Sequence, residues 1–499
     1  MRGHLALITS LLLLSLGTLP IKINMGVADV PIGYPVHNLN TGMNYTTIQE
    51  AINAYETLDG HRILVDVGTY YERITINKSI SLLGADRETT IIDGNRTLFY
   101  SGSDSVIYVT ANCVSISNFT VQNGGGNDYW DFVAGICLSS SNNRIADNMI
   151  RANNYGLEIG NPYGVSNNTI QTNTIQGNNY GIFEYMGTNN RIVNNAVTAN
   201  SEGIWFAALE PNANNTVSEN LVSENGDGIR MDDYILIGGH ASKATIAKSS
   251  VQAFTSLTNS NRICRNTINK NNNGLSISSS NNVIEGNVIE RNKCGLSYLY
   301  ALPELASPNY IYQNNFLANT NQTVINSVRL NNWDNGIEGN YWSDYIWADA
   351  DYDGIGDTPY IIEANNTDNY PLMGIFSDFG VTSDQHVTTI CNSTLSNFEF
   401  NGTAIIFSAA GIDGTIGFCR IRIPTALLNI PYRVFLNGTE IPCTLLPCSD
   451  ANYSYLYFSY THSTHDVVVI PEFQPYVILL LLIATIPSSI IVRRKKCRR

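Results

Sequence analysis

Between residues 136 and 296 the apolar side chains fall singly among asparagines, serines and threonines, and do not form a helical or strand-length stripe. In "SSSNNVIEGNVIERNKCG", Asn282, Asn287 and Asn292 recur every five residues, and Ile284 and Ile289 each follow an asparagine by two places. A helix repeats its apolar face near 3.6 residues and a strand near 2, so an interval of about five fits neither as a continuous element. It describes a short strand followed by a corner. Asparagine tolerates φ > 0 better than other residues with a side chain, so the spacing predicts left-handed bends at the asparagines and inward-pointing Ile284 and Ile289.

The same phrase recurs with asparagines at 143/148/153, 168/173/178, 190/195/200, 215/220/225 and 261/266/271. These copies end on Gly156, Gly181, Gly203, Gly228 and Gly274, as the last does on Gly295. Most glycine-to-glycine intervals are 21 to 25 residues, one being lengthened by an insertion. Such a period belongs to solenoids, and chain rising about 4.8 Å per turn predicts a parallel β-helix with asparagine ladders.

With the glycine as reference, residues one and three places later point inward: Ile136/Leu138, Leu157/Ile159, Ile204/Phe206, Ile229/Met231 and Leu275/Ile277. The residue two places later then points to solvent, giving a row Cys137, Glu158, Phe183, Trp205, Arg230, Ser276. The residue before the glycine gives a parallel row Tyr155, Tyr180, Glu202, Asp227. Glu184 falls in an inward register, where a local bulge is expected to turn it out.

The flanks read differently. "YTTIQEAINAYETL" carries a helical face of Ile48, Ala51, Ile52 and Tyr55, suited to plugging the open first turn. The β-helix is expected over 38–373. From about Ser377 the asparagine period gives way to β-rich segments with "NG" turns, which predict an antiparallel β-sandwich over 377–470, standing as a stalk. Residues 1–28 read as a secretory signal peptide. Residues 476–492 form an apolar run just long enough to cross a bilayer, and the basic 493–499 would face the cytoplasm.

Only 14% of residues are charged and the net charge is −14, which argues against nucleic acid as a partner. N-x-[ST] sequons, among them Asn44, Asn95, Asn118, Asn401 and Asn437, suit an exported glycoprotein. Nine cysteines in an exported chain invite disulfides, with Cys443–Cys448 and Cys391–Cys419 as pairings.

Exposed rings stacked about 5 Å apart beside polar groups suit the flat faces of sugars. Tyr155, Glu158, Tyr180, Phe183, Trp205 and Asp232 are therefore the candidate ligand-binding residues, against the plainer reading of a ladder that stabilises the sheet. Glu202 and Asp227 are like charges one turn apart, an arrangement that needs a cation or a shared proton. With Arg230 they are the candidate catalytic residues, for a glycoside hydrolase acid/base pair or a calcium-assisted lyase. Two solvated acids on a bend are the plainer alternative. The insertion 233–258 follows directly, in the position of a lid or partner-contact loop, or equally of a surface loop tolerated without a role. In "DADYDGIGD", Asp349, Asp351, Asp353 and Asp357 take positions 1, 3, 5 and 9 of a calcium-binding loop, with Gly354 at the turn. Tyr360 stands where the bidentate glutamate of an EF-hand would be, so the expected role is a structural Ca2+ clamp of reduced affinity, or an acidic turn.

"TIQEAINA", "GTYYE", "SLLGAD", "TTIIDG", the laddered turns and "GNYWSDYIWADADYDGIGDTPYIIEANNTDNYPLM" resemble the NosD-type β-helix proteins, also described as carbohydrate-binding and sugar-hydrolase (CASH) domains, over about residues 38–373. "IPEFQP" before the apolar run resembles the PEF-type C-terminal sorting signals of archaeal surface proteins, which would exchange the helix for a lipid anchor. The resemblance implies a right-handed solenoid on the outer face of the cell and fixes no reaction. The expected fold class is all-β: a right-handed parallel β-helix, a small antiparallel β-sandwich and a C-terminal transmembrane helix. The resemblance also raises copper. His37, His61, His240, His386, His462 and His465 are scattered and the methionines form no cluster, which gives copper little support. The expected function is a cell-surface, membrane-anchored protein that binds glycans or contributes to the envelope. A polysaccharide lyase or glycoside hydrolase is the alternative, and an adhesin or spacer without a small ligand is the third reading.

Overall fold

The computed structural model describes residues 33–95, 104–125, 133–160, 164–207, 212–232, 258–298, 307–326, 330–363 and 365–472. The expected signal peptide, membrane segment and basic tail lie outside these residues, as does the insertion apart from Thr258. Among the described residues no helix is long and apolar enough to cross a membrane.

Most of the chain winds as a parallel β-helix of the right-handed type with three long faces, of twelve, eleven and ten strands. Each turn contributes one short strand to each face, paired in parallel with its counterparts in the turns before and after; only Val36–Asn38 and Asn44–Tyr45, at the N-terminal edge of the twelve-stranded face, pair antiparallel. Inside lies one continuous core of branched aliphatics, including Ile136, Ile159, Ile204, Ile229, Ile284 and Ile289, every one at most 1% exposed.

The corners correct one expectation. The residue taking φ > 0 is the one before each ladder asparagine: Asn194 (φ 55°), Ala199 (φ 54°), Glu219 (φ 59°) and Arg265 (φ 54°) precede Asn195, Asn200, Asn220 and Asn266. The asparagines themselves are buried, because their carboxamides are needed inside. Asn195 Oδ1 accepts from the Asn173 amide (2.9 Å) and Nδ2 (3.0 Å), while its own Nδ2 donates to the Ile170 carbonyl (2.9 Å) and Asn220 Oδ1 (3.0 Å). Each carboxamide thus accepts from a corner amide that the bend has taken out of the sheets and ties it to a strand carbonyl of the turn before. Those bonds offset the roughly 1–2 kcal/mol that a left-handed bend costs an ordinary residue.

The glycine column has its own cause. A Cβ at Gly203 would lie 2.4 Å from the Gly228 carbonyl oxygen, and Gly156, Gly181, Gly228 and Gly274 meet the next turn in the same way. Only glycine lets the turns approach this closely.

Both ends of the solenoid are closed. At the first turn the helix Ile48–Asn53 buries Ile48, Ala51 and Ile52, and Thr47 caps it by accepting from the Glu50 amide. The Glu72 carboxylate accepts the Ile48 and Gln49 amides, both at 3.0 Å. Tyr55 is not on the buried face. The helix stops before it, where Ala54 turns extended, and Tyr55 is 92% exposed. At the far end Trp342 stacks between Phe316 (4.4 Å) and Tyr360 (4.3 Å). Asp368, fully buried, accepts from Trp342 Nε1 (2.9 Å) and the Asn340 amide (2.7 Å), and so ends the central ladder.

Beyond Gly374 the chain forms two five-stranded antiparallel sheets that share one apolar core. Every described cysteine is a free thiol. Cys391 and Cys419 face one another in register, and Cys391 donates to the Phe418 carbonyl (2.9 Å). Arg420, 2% exposed, joins this unit to the solenoid through Glu338 (3.2 Å) and Asp353 Oδ2 (3.2 Å).

Candidate functional site

The ten-stranded face carries both rows of candidate residues. Strands Ala134–Leu138, Tyr155–Ile159, Tyr180–Tyr185, Glu202–Ala207, Asp227–Asp232 and Asn273–Ile277 lie side by side on it. Their register sets Tyr155, Tyr180, Glu202 and Asp227 in one row and Cys137, Glu158, Phe183, Trp205, Arg230 and Ser276 in the other. The apolar members of both rows, Tyr155, Tyr180, Cys137, Phe183 and Trp205, pack in a cluster separate from the bore.

Exposure departs from expectation. Tyr155, Glu158, Tyr180, Phe183 and Trp205 are at most 8% exposed. The rings cover one another: Tyr155 stacks on Tyr180 at 4.6 Å, and Phe183 packs against Trp205 at 4.9 Å. Strands 4.8 Å apart bring such rings into contact, so an aromatic row closes into an apolar shelf. The solvated part is the charged rim. The side chains of Glu202 and Arg230 are 23% and 25% exposed.

Arg230 organises that rim. Its Nε donates to Asp232 Oδ2 (2.6 Å), its Nη1 to Glu202 Oε1 (3.4 Å), and its guanidinium lies 4.8 Å over the Trp205 ring. Asp232, 4% exposed, also accepts from Trp205 Nε1 (3.1 Å) and Ser278 Oγ (2.9 Å). Asp227 accepts from Asn273 Nδ2 (2.7 Å). The like charges at 202 and 227 are therefore held by an arginine and an amide.

Burial, and then the Asp227 charge, push the Glu202 carboxyl up to about 7. Glu158, buried beside Cys137, is pushed up to about 8 by desolvation. Asp232 is also raised by burial, with Arg230, Ser278 and Trp205 opposing. One oxygen each of Glu158 and Glu202 is buried without a hydrogen-bond partner. Glu184 does not turn outward. It pairs in unbroken register with Ile159 and Phe206, is fully buried, and accepts from Asn190 Nδ2 (3.1 Å). Inside the bore its carboxyl is pushed up to about 8 by desolvation.

The acidic loop lies apart, at the end of the solenoid. Carboxylate oxygens of Asp349, Asp351 and Asp353 lie within 4.8 Å of one another. Asp357 is outside that trio, with Oδ2 on the Ala350 amide (2.6 Å). Asp349 accepts the Asp353 and Gly354 amides.

Turn-by-turn register and a charged outer rim define a parallel β-helix protein with one chemically distinct face. A profile of the family described as periplasmic copper-binding protein (NosD) matches residues 56–234 and 207–346, more than half of the chain, and the chain belongs to that family. It is similar to a "Cell surface glycoprotein" of Methanothermus fervidus, 36% identical over 106 residues, 21% of this chain and 17% of that protein. It is also similar to a "Probable ABC transporter binding protein NosD" of Stutzerimonas stutzeri, 35% identical over 79 residues, 16% of this chain and 17% of that protein. The chain thus spans about a sixth of the length of these curated relatives. Among solved structures it is similar to "Geobacillus virus E2 - ORF18" (15% identity, TM-score 0.30, 85% of this chain and 72% of the other). A pectin methylesterase in complex with hexasaccharide VII also matches (12% identity, TM-score 0.33, 48% and 80%).

Copper does not fit the described residues. A copper site draws on clustered imidazole, thiolate or thioether donors. Here His37 is bonded to Asn44 and Asp66, His61 to Asn38, His386 to Asp378, and His462 to Ser393 and Thr415. Among the described residues the one group with metal-ligand spacing is the aspartate trio, whose hard oxygens suit Ca2+. The role of Asp232 as the hub of the rim, together with Ser278, was not legible from periodicity, because their bonds cross between turns.

Proposed function

We propose that this chain is an exported, surface-tethered β-helix protein that binds glycans on the charged rim of its ten-stranded face. The observation that carries the reading is the Glu202–Arg230–Asp232 group, seated on Trp205 with Glu202 and Arg230 partly exposed. The partly exposed Glu202 carboxyl hydrogen-bonds sugar hydroxyls and a fixed guanidinium donates to ring or carboxylate oxygens, while Asp232 and the buried shelf hold them in place. The aromatics then support the rim instead of stacking on sugar. The test is glycan-array binding by the full chain and by Arg230→Met and Arg230→Lys. Loss of one or two charge-assisted bonds predicts roughly tenfold weaker binding or more for Arg230→Met. Unchanged binding by a folded Arg230→Met protein would remove the rim from the account.

A second reading rests on Glu202 alone. A carboxyl near 7 beside a second acid suits general acid catalysis of polysaccharide cleavage. Glu202→Gln separates the two readings: a lectin keeps most of its affinity, whereas an enzyme keeps binding and loses turnover by about a hundredfold or more.

The aspartate trio serves, in this reading, as a Ca2+ clamp on the end of the solenoid, with Asp353 shared between the ion and Arg420. Millimolar Ca2+ should raise the melting temperature and EDTA lower it, and Asp349→Asn with Asp351→Asn should abolish the difference. A melting curve indifferent to Ca2+ would leave the loop a plain acidic turn.

A further inference from the structure

Away from the shelf, a cleft of about 440 Å³ opens where the twelve-stranded face meets the antiparallel unit. Its solenoid wall carries Arg262, Arg265, Glu285 and Tyr312, and its other wall Asp378, His386, Arg422 and Tyr453. The volume falls in the range of small-ligand sites.

The charges in it are unequally matched. Arg262 is held by Glu285 through Nε (2.6 Å) and Nη2. Arg265 is shared between Glu219 (3.3 Å) and Asp378 (3.4 Å), and Asp378 also holds His386 (2.7 Å). Arg422 makes no ion pair among the described residues. Its guanidinium lies 4.8 Å over the Tyr453 ring and is hydrogen-bonded to the Tyr455 hydroxyl, while its Nε is buried without an acceptor. A buried donor left unpaired costs about 1–3 kcal/mol, a cost that an incoming acceptor would remove.

We infer that this cleft binds a carboxylate-bearing sugar residue, with Arg422 as the carboxylate anchor. A guanidinium fork matches a carboxylate in two parallel bonds. Glu285, Asp378 and Asp384 in the same cleft accept hydroxyl protons but repel a doubly charged phosphate, which favours a polyhydroxylated monoanion. Tyr312 and Tyr453 line the same cleft, and aromatic rings of this kind suit the C–H side of a pyranose. The inference is independent of the rim around Arg230, which belongs to a different face of the solenoid.

The experiment is calorimetric titration of the full chain with a galacturonate oligosaccharide, a neutral galactose oligosaccharide of the same length, and sodium sulfate. Titrations are repeated in the Arg230→Met background so that rim binding does not contribute. The expected result is saturable uronate binding, at least tenfold weaker in Arg422→Met and intermediate in Arg422→Lys, with no saturable binding of the neutral sugar. Should Arg422→Met fail to fold, Arg422→Lys and Tyr453→Ala carry the test. Uronate affinity untouched by these substitutions would overturn the assignment, as would equal affinity for the neutral sugar or for sulfate. Uronate binding lost in Arg230→Met but retained in Arg422→Met would place the ligand on the rim and likewise end the cleft proposal.

Discussion

Three glutamates define the residue scale. Burial pushes the carboxyls of Glu158, Glu184 and Glu202 up to about 8, about 8 and about 7 in the folded chain, above the value of about 4.3 for an unfolded glutamate. Between about pH 4.5 and 8 the folded state therefore holds more protons than the unfolded one, so stability falls as pH rises through that window. A thermal melt should give a higher midpoint at pH 5 than at pH 8. Glu184→Gln, which keeps the bond from Asn190 and removes the buried charge, should raise the pH 8 midpoint and flatten the profile; a profile as steep as wild type would contradict this. The inward register of Glu184 was readable from its distance to the glycine. What was not readable was that the carboxyl stays inside, since that depends on Asn190, whose turn position becomes a contact only once the corner folds.

At the scale of the element, the ladder turn is the unit. Asn195 is 2% exposed and bonded to the turns on both sides. Asn195→Ala leaves the buried Asn173 backbone amide without its acceptor, at a cost of about 1–3 kcal/mol, whereas Asn194→Gly, at the φ 55° bend, should be neutral or stabilising. Paired denaturant titrations check this, and a larger loss at 194 than at 195 would contradict the assignment of roles within the corner. Strand positions and inward aliphatics followed from the five-residue spacing because one period governs every turn. The division of labour between bend and ladder residue did not, since asparagine suits both places. The shelf shows the same limit: periodicity says which side of a sheet a ring occupies, but only packing says whether neighbouring rings cover it.

For the whole molecule, the junction between solenoid and antiparallel unit turns on Arg420. It is 2% exposed and bonded to Glu338 and to the Asp353 carbonyl and carboxylate. Arg420→Met leaves Glu338 buried without its cation, a loss of about 3–5 kcal/mol, and should split a single calorimetric transition into two. One undivided transition in the variant would show that the units are held together elsewhere. No repeat in the sequence announces this junction, because its partners lie 67 and 82 residues apart. Function belongs to this scale too, since the proposed rim on the ten-stranded face and the proposed cleft at the junction would give a glycan two separate footholds. The most direct measurement of the central claim is hydrogen exchange on the full chain with and without a glycan it binds in the Arg422→Met background. Slowed exchange confined to strands Glu202–Ala207 and Asp227–Asp232 and their neighbours is the predicted result; protection only elsewhere on the solenoid, or none at saturation, would contradict it.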